Sequence, residues 1–362
     1  MDRLSLHDLH QQLGARFTAV TDCEAVADYG NFLAEHRFLR ESAGVLDLSF
    51  RSRVCLTGAD RVRFLHGQVT NEIKRLQPGE GCYTALVSAK GRMESDLNVY
   101  CLEGELLLDF EPGLRETVTG RLERYIVADD VEVVDVGALF GLLSLQGPNA
   151  KAVAGSLGLF SQVPEQPFHF SKADDANLGE LYLVNHARLG SAGFDLFAPM
   201  PAMGPLAERL IAAAKTVSGG PSGWQAFETA RIERGIPRFG PDMDERNFPQ
   251  ECGIEAQAVS YTKGCYIGQE VLNRIYTLGH VNRGLCGLRL GADTALPAHG
   301  DKLFHAGKEV GYLTSAVWSP ALEANIALGY ARNEARQAGT ELIVRGDAGE
   351  SAARVVSLPF VA

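Results

Sequence analysis

The chain has 362 residues, of which 46% are hydrophobic and 22% are charged, and its formal net charge at pH 7 is −11. This balance is ordinary for a globular protein with two or three domains. The acidic charge argues against a nucleic-acid-binding surface, although it leaves room for a local basic pocket that binds a small anion.

The start of the chain and its cysteines predict a cytoplasmic protein. Residues 1–14 lack the apolar core of a signal peptide, and no apolar run approaches the length of a membrane span. The seven cysteines form no Cys-x-x-Cys pair, and their spacing is not that of a metal site. We therefore expect reduced thiols, no membrane contact and no stable metal centre.

The first 40 residues predict mainly helices, because Leu6, Leu9, Leu13 and Phe17 fall at helical spacing. A short buried strand is predicted at 44–49.

A compact α+β unit is predicted from Arg53 to Val136. Its apolar runs and turns follow the order strand, helix, three strands, helix, strand, which is typical of a ferredoxin-like fold with one added strand. The strand at 93–101 alternates strictly between two faces. One face carries four polar residues: Glu94, Asp96, Asn98 and Tyr100.

A second α+β unit is predicted after residue 140, because residues 143–150 repeat the strand, glycine and helix start of residues 54–61. Such a repeat indicates an internal duplication. The glycine- and proline-rich segment 235–253 predicts an irregular crossing. From Gly284 onward, six short apolar strands alternate with turns, a pattern typical of a small barrel or sandwich.

The most distinctive stretch is Lys263-Gly264-Cys265-Tyr266-Ile267-Gly268-Gln269-Glu270. Its glycines allow a close backbone approach or a positive φ. If a helix begins near Cys265, its free N–H groups and dipole would favour a thiolate there, with Lys263 as a nearby cation. The alternative is a tight turn with Cys265 buried and inert. The local pattern leaves both interpretations open.

Two further residues are candidates for ligand contact. Asp96 could accept a hydrogen bond from a cationic amine, and Arg231 could bind a ligand carboxylate with its guanidinium fork. Taken alone, each is also compatible with a solvated charge on a strand or helix. The chain lacks the GxSxG, GxxxxGK[ST], GxGxxG and HExxH motifs, so hydrolase, phosphate-loop, dinucleotide and metalloprotease functions have no local support.

The eight-residue stretch resembles the signature of the YgfZ family. These are folate-binding proteins tied to iron–sulfur cluster assembly and repair, and they are related to the T-protein, the aminomethyltransferase of the glycine cleavage system. The segments 46–49, 56–65, 231–237 and 311–315 also resemble this superfamily. T-proteins usually carry an acidic residue where this chain has Cys265.

The resemblance implies an α+β protein with two duplicated, ferredoxin-like lobes and a C-terminal β-barrel in a ring around a central tetrahydrofolate site. The first lobe would comprise residues 1–52 and 138–240. The second would comprise residues 53–137 and 241–282 and would carry the eight-residue stretch. The barrel would comprise residues 283–362.

The resemblance also implies roles for individual residues. Asp96 falls where T-proteins place the catalytic aspartate near folate N5, Tyr83 falls near a pterin-contacting tyrosine, and Arg231 matches the arginine of an Arg-x-Glu segment. In contrast, Ser191 replaces the glutamate that holds the pterin edge, so that pterin recognition must differ or weaken. The same T-protein segment has a second acidic residue, and Asp195 retains an acidic side chain at that position.

Three functions follow from the resemblance. The first is a folate-binding protein for iron–sulfur assembly or repair, with such proteins as partners. Cys265 would be the functional thiol, either a transient cluster ligand or a redox partner. A set of neighbours would hold the turn and set its electrostatics: Lys263, Gly264, Tyr266, Gly268, Gln269 and Glu270. The second is an aminomethyltransferase that moves a one-carbon unit from a lipoyl-bound aminomethyl group to tetrahydrofolate. The third is a folate-binding scaffold without chemistry. Cys265 and Ser191 favour the first, so the sequence leans against an enzyme.

Overall fold

The computed structural model describes residues 2–291, 295–347 and 349–361. The chain forms two compact units. The first contains the residues up to Thr84 together with Ser95–Glu228. The second contains Ala85–Glu94 together with the residues from Thr229 onward.

The elements lie in chain order as follows. The helices are α1 (His7–Gln12), α2 (Phe32–Glu41), α3 (Arg61–Gln68), α4 (Arg115–Glu123), α5 (Ala150–Ser156), α6 (Met203–Lys215), α7 (Trp224–Glu233), α8 (Glu255–Ala258) and α9 (Gln269–Leu278). The strands before the barrel are β1 (Arg16–Val20), β2 (Cys23–Asp28), β3 (Gly44–Asp47), β4 (Ser52–Thr57), β5 (Gly81–Val87), β6 (Met93–Cys101), β7 (Leu106–Phe110), β8 (Glu132–Asp135), β9 (Phe140–Gln146), β10 (Phe170–Asp175), β11 (Gly179–Asn185), β12 (Gly193–Pro199) and β13 (Gly220–Pro221). The barrel strands are β14 (Arg283–Leu290), β15 (Lys302–His305), β16 (Lys308–Ser319), β17 (Ala324–Arg332), β18 (Glu341–Gly346) and β19 (Gly349–Val356).

The prediction of helices throughout the first 40 residues is wrong for the segment that follows α1. Gly14 has a φ of +83°, a left-handed conformation that ends the helical path. Strands β1 and β2 then pair as an antiparallel hairpin. Leucines at helical spacing therefore predicted α1 correctly, but Phe17 belongs to a strand.

A five-stranded sheet with the order β5-β6-β7-β4-β8 contains the unit predicted from Arg53 to Val136. Its elements occur in the predicted order, with α3 after β4 and α4 after β7. Strand β6 begins and ends at the predicted residues, and every residue of its apolar face is buried. That alternation directs Asp96 to the opposite face from Ser95 and Leu97.

A six-stranded sheet with the order β10-β11-β12-β9-β3-β13 lies within the first unit. Leucines and alanines of α5 and α6 pack with Val45, Leu145 and Leu196 into one apolar core. The sequence predicted β9, with Leu143 as its first residue, but it did not predict β10. Strand β10 lies at the edge of the sheet, and most of its side chains are not buried, so it lacks a strong apolar pattern.

The second unit ends in a closed barrel with the strand order β14-β17-β16-β15-β18-β19. Each strand matches one of the six short apolar runs in the sequence, and the inward side chains, such as Leu288, Leu303 and Val344, form the core. The expected α+β fold with a C-terminal β-barrel is thereby confirmed. Within the described ranges, no helix combines the length and the apolar character that crossing a membrane would require.

Candidate functional site

Asp96 and Tyr83 are brought together by the neighbouring strands β6 and β5. The Tyr83 hydroxyl donates a hydrogen bond of 2.9 Å to Asp96 Oδ2. The other carboxylate oxygen, Oδ1, is inaccessible and has no hydrogen-bond partner among the described residues. Ser95 Oγ donates to the main-chain oxygen of Asp96 at 2.9 Å, which fixes the backbone at this point. A buried carboxylate oxygen without a partner is costly, so the ionised form of Asp96 needs a hydrogen-bond donor at Oδ1.

The surroundings of Asp96 raise the pKa of its carboxyl group toward neutral pH. Burial raises the pKa of Asp96 to about 6, and the nearby Glu111 carboxylate adds to that rise. The Arg51 cation and the Tyr83 hydrogen bond act in the opposite direction. A carboxyl group with such a pKa can both accept and release a proton near physiological pH.

A buried ion network supports this site from β7. Arg51 Nε donates to Asp109 Oδ1 at 3.0 Å, and Asn98 Nδ2 donates to Asp109 Oδ2 at 2.9 Å. Arg51 also contacts Glu111. Burial opposes ionisation of Asp109, but the cations of Arg51 and Arg188 outweigh it and lower its pKa to about 2. Asp109 is therefore a permanent anion that holds Arg51 in place.

Arg188 connects this network to the six-stranded sheet. Its Nη2 donates to Asp109 Oδ2 at 3.1 Å and to Asp195 Oδ2 at 2.7 Å. His186 Nδ1 lies 2.9 Å from Asp195 Oδ2, and Ser144 Oγ donates to Asp195 Oδ1 at 2.7 Å. Burial again opposes ionisation, but Arg188 and His186 keep the pKa of Asp195 well below its usual range. Both carboxylate oxygens of Asp195 are thus occupied by contacts within the network, which favours a structural role over ligand binding.

Most of this network could not be predicted from the sequence. Asp109 interrupts the buried apolar strand 106–110, and a lone carboxylate inside such a run is a signal for a charged partner. Nothing local identifies Arg51 or Arg188 as that partner. Ser191 lies in the turn between β11 and β12.

Arg231 lies in the second unit, at the end of α7, and only 2% of it is exposed. Its Nη1 donates to Asp242 Oδ2 at 2.5 Å and to the main-chain oxygen of Ile236 at 3.1 Å, while Nη2 donates to Ser315 Oγ at 3.1 Å. Thr314 Oγ1 donates to Asp242 Oδ1 at 2.6 Å. These contacts favour a structural role for Arg231, which joins α7 to the barrel, over the ligand clamp expected from the sequence.

The eight-residue stretch packs on the turn between β5 and β6. Gly268 has a φ of +85°, and a Cβ added there would lie 2.6 Å from the main-chain oxygen of Ser88. Gly91, on that turn, would place a Cβ 3.1 Å from Val271 of α9. Both glycines are therefore needed for close packing. Gln269 and Glu270 open α9, where an acidic side chain suits the positive end of the helix dipole.

Cys265 does not lie at the start of a helix, the position at which a thiolate would be favoured. Helix α9 begins at Gln269, so Cys265 precedes its first turn, and Gly264 and Cys265 are both exposed. Lys263 is buried, with Nζ 4.9 Å from the centre of the Tyr266 ring. The Tyr266 hydroxyl is buried and has no hydrogen-bond partner among the described residues. In the described part of the chain, no three His, Cys, Asp or Glu side chains are grouped to hold a metal.

Comparison with known proteins assigns the architecture to a class. A family model described as the GCVT N-terminal domain matches residues 6–263, and one described as the glycine cleavage T-protein C-terminal barrel domain matches residues 283–362. The solved structure of glycine cleavage system aminomethyltransferase T from Bartonella henselae matches with a TM-score of 0.89 and 24% identity, covering 99% of this chain and 98% of that one. The fold is therefore that of a T-protein.

Two curated relatives match over nearly their whole length. An aminomethyltransferase of Rubrobacter xylanophilus is 30% identical over 364 residues, covering 99% of this chain and 94% of the relative. An aminomethyltransferase of Geobacillus kaustophilus is 28% identical over 361 residues, covering 99% of this chain and 98% of the relative. The chain belongs to the glycine cleavage T-protein family.

These comparisons correct the leading hypothesis from the sequence. The iron–sulfur function with Cys265 as its thiol is wrong, because the relatives that match the whole chain are aminomethyltransferases. The resemblance to YgfZ proteins is confirmed only in its coarser part, the relation to T-proteins. The leaning against an enzyme also finds no support. Aminomethyltransferases of this family use tetrahydrofolate, so the expected cofactor is confirmed.

Proposed function

We propose that this protein is a tetrahydrofolate-dependent aminomethyltransferase, which moves a one-carbon unit from a lipoyl-bound aminomethyl group to tetrahydrofolate. One observation carries the proposal: the carboxyl group of Asp96 is held by Tyr83, has an unpartnered oxygen and titrates near neutral pH. The whole-length matches to aminomethyltransferases support the same conclusion.

The residues at this site fit a nitrogen-rich cofactor such as tetrahydrofolate. The buried Oδ1 of Asp96 needs a donor, and an N–H group of the cofactor is a donor of the right kind. We therefore assign Asp96 and Tyr83 to cofactor binding. When bound, tetrahydrofolate supplies the nitrogen that receives the one-carbon unit. Because Ser191 lacks a carboxylate, Asp96 is the acceptor on which recognition would chiefly depend.

Residues of this chain control proton transfer at Asp96 Oδ1. In its ionised form Asp96 can accept a proton there, and in its protonated form it can return one. Tyr83 holds Oδ2, which orients Oδ1 and stabilises the carboxylate. Arg51 adds a positive charge that keeps the pKa of Asp96 from rising further, and Asp109 fixes Arg51. Asp96 is thus the proposed catalytic residue, and Tyr83 and Arg51 are positioning residues.

The proposed activity is tested by turnover of an aminomethylated lipoyl carrier protein with tetrahydrofolate. We expect Asp96→Asn to lower kcat by about 10²-fold or more, because it removes the proton acceptor. Asp135→Asn, an exposed aspartate on β8, is the matched control and should keep its activity. A wild-type protein without turnover, or an Asp96→Asn variant with normal turnover, would contradict the proposal.

Tyr83→Phe separates positioning from catalysis. The Tyr83 hydrogen bond lowers the pKa of Asp96, so its removal should move the acid limb of the kcat/KM profile from near pH 6 to higher pH. Calorimetry with tetrahydrofolate alone then distinguishes loss of binding from loss of chemistry. An unchanged pH profile in the Tyr83→Phe variant would show that Asp96 does not set the acid limb.

A further inference from the structure

The first unit contains a cavity of about 510 Å³ with a mixed lining. Leu4, Phe50 and Met200 give it an apolar wall, and Arg53 gives it a buried cation. Neither Asp96 nor Tyr83 lines it. A volume of this size is typical of sites for small organic molecules.

Arg53 is the unusual residue of this cavity. Only 1% of it is exposed. Its Nη2 donates to the main-chain oxygens of Ser49 at 2.9 Å and Gly137 at 3.2 Å. Its Nε and Nη1 are buried and have no acceptor within the described residues. Burial lowers the pKa of Arg53 to about 10, which leaves it charged at neutral pH.

Unlike Arg53, the other arginines at this cavity have carboxylate partners. Arg51 pairs with Asp109 at 3.0 Å, and Arg115 pairs with Asp135 at 2.9 Å. A buried guanidinium without an anion is unfavourable, and planar anions satisfy it best. Arg53 therefore provides a positively charged point in the cavity that an anionic ligand would neutralise.

The charges at the mouth restrict which anion fits. Three exposed carboxylates, those of Asp2, Asp22 and Glu116, line the cavity. The exposed cations there, Arg3 and Arg115, are already paired with carboxylates, so the mouth does not favour a ligand that carries several negative charges. The apolar wall instead favours a ligand with a hydrocarbon body. A single carboxylate on a small apolar skeleton meets both conditions, whereas phosphate meets neither.

We propose that this cavity binds a small organic monocarboxylate, whose carboxylate lies against the Arg53 guanidinium while its hydrocarbon part packs on Leu4, Phe50 and Met200. The lining contains neither Asp96 nor Tyr83 but shares Arg51 with the proposed aminomethyl-transfer site, and this proposal does not depend on that activity.

The test is calorimetric titration of the full-length protein with benzoate and propionate at constant ionic strength. Benzamide and propionamide are the uncharged controls of the same shape, and inorganic phosphate is the multiply charged one. We expect both carboxylates to bind and the amides and phosphate to bind at least about tenfold more weakly, since the interaction depends on one charge-assisted contact. Absence of carboxylate binding, or equal binding of the amides or phosphate, would overturn the proposal.

Two variants locate the site and one controls for general charge. Arg53→Gln should weaken benzoate binding by about tenfold or more. Since Arg53 also holds two main-chain oxygens, Ala138→Trp provides an independent test: it fills the cavity from an exposed position and should abolish binding. Arg115→Gln removes an exposed, paired cation and should leave the affinity within about twofold. If Ala138→Trp binds benzoate normally, the ligand lies elsewhere and the proposal fails.

Discussion

Replacing Asp96 with asparagine should stabilise the protein at neutral pH, although Asp96 is the proposed catalytic residue. Burial raises the pKa of Asp96 from 3.8 to about 6. Between those two values the folded chain retains a proton that the unfolded chain has released, so wild-type stability falls as pH rises through this interval. Each pKa unit corresponds to 1.36 kcal/mol, giving roughly 3 kcal/mol. The Asp96 residue as a whole is only half-buried, although its Oδ1 is inaccessible, so solvent screening reduces this figure to about 2 kcal/mol.

Asparagine cannot ionise, and its amide oxygen can still accept from Tyr83, so the variant avoids this cost. We expect equal stabilities near pH 2.5, where Asp96 is protonated in both the folded and the unfolded state. At pH 7.5 the Asp96→Asn variant should unfold about 4–8 °C higher, as expected for about 2 kcal/mol in a unit of 150–250 residues. Thermal unfolding at several pH values between these limits measures the difference directly. A variant that is less stable at pH 7.5, or a difference that does not change with pH, would refute the reasoning.

Three further predictions concern structural residues, and each is measured by urea unfolding of the variant. Gly268→Ala should lower the free energy of unfolding by more than about 2 kcal/mol, because the added methyl group would meet a main-chain oxygen. Gly279 has a similar φ but lies in open space, so Gly279→Ala should lower it by only about 1 kcal/mol. Equal losses in the two variants would contradict the steric clash at Gly268. Arg188→Met should lose about 3–5 kcal/mol, since it removes a cation shared by two buried carboxylates, and a loss below about 1 kcal/mol would show that the network is dispensable. Cys265→Ser, at an exposed position, should change stability by no more than about 0.5 kcal/mol and leave aminomethyl transfer intact; loss of transfer would restore a function to the thiol.

Much of the fold could be predicted because its signals are local. The alternation of residues 93–101 located β6 and placed Asp96 on its polar face, and six short apolar runs predicted the six barrel strands. The hairpin of β1 and β2 was missed because Gly14 breaks the helix without breaking the leucine spacing. Strand β10 was missed because an edge strand needs few apolar residues.

The site was less predictable because its partners are distant in sequence. Arg51 and Asp109 are 58 residues apart, and Asp109 and Arg188 are 79 residues apart. No periodicity connects such residues, so only the folded sheets reveal the network. The eight-residue stretch, in contrast, has a strong local pattern whose meaning was predicted wrongly. Its glycines meet the steric demands of packing on a hairpin turn, and that structural requirement accounts for much of a motif first attributed to Cys265.

The position of Arg188 between two buried carboxylates also bears on whether the halves of the first unit can exist alone. A fragment limited to the five-stranded sheet and Arg51 would keep the contacts of Arg51 to Asp109 and Glu111 but would lose the contact of Arg188 to Asp109. The missing positive charge belongs to the six-stranded half. The two sheets therefore have separate strands but share a charge balance through Arg188, so a fragment that contains only one sheet would leave a buried charge without one of its partners.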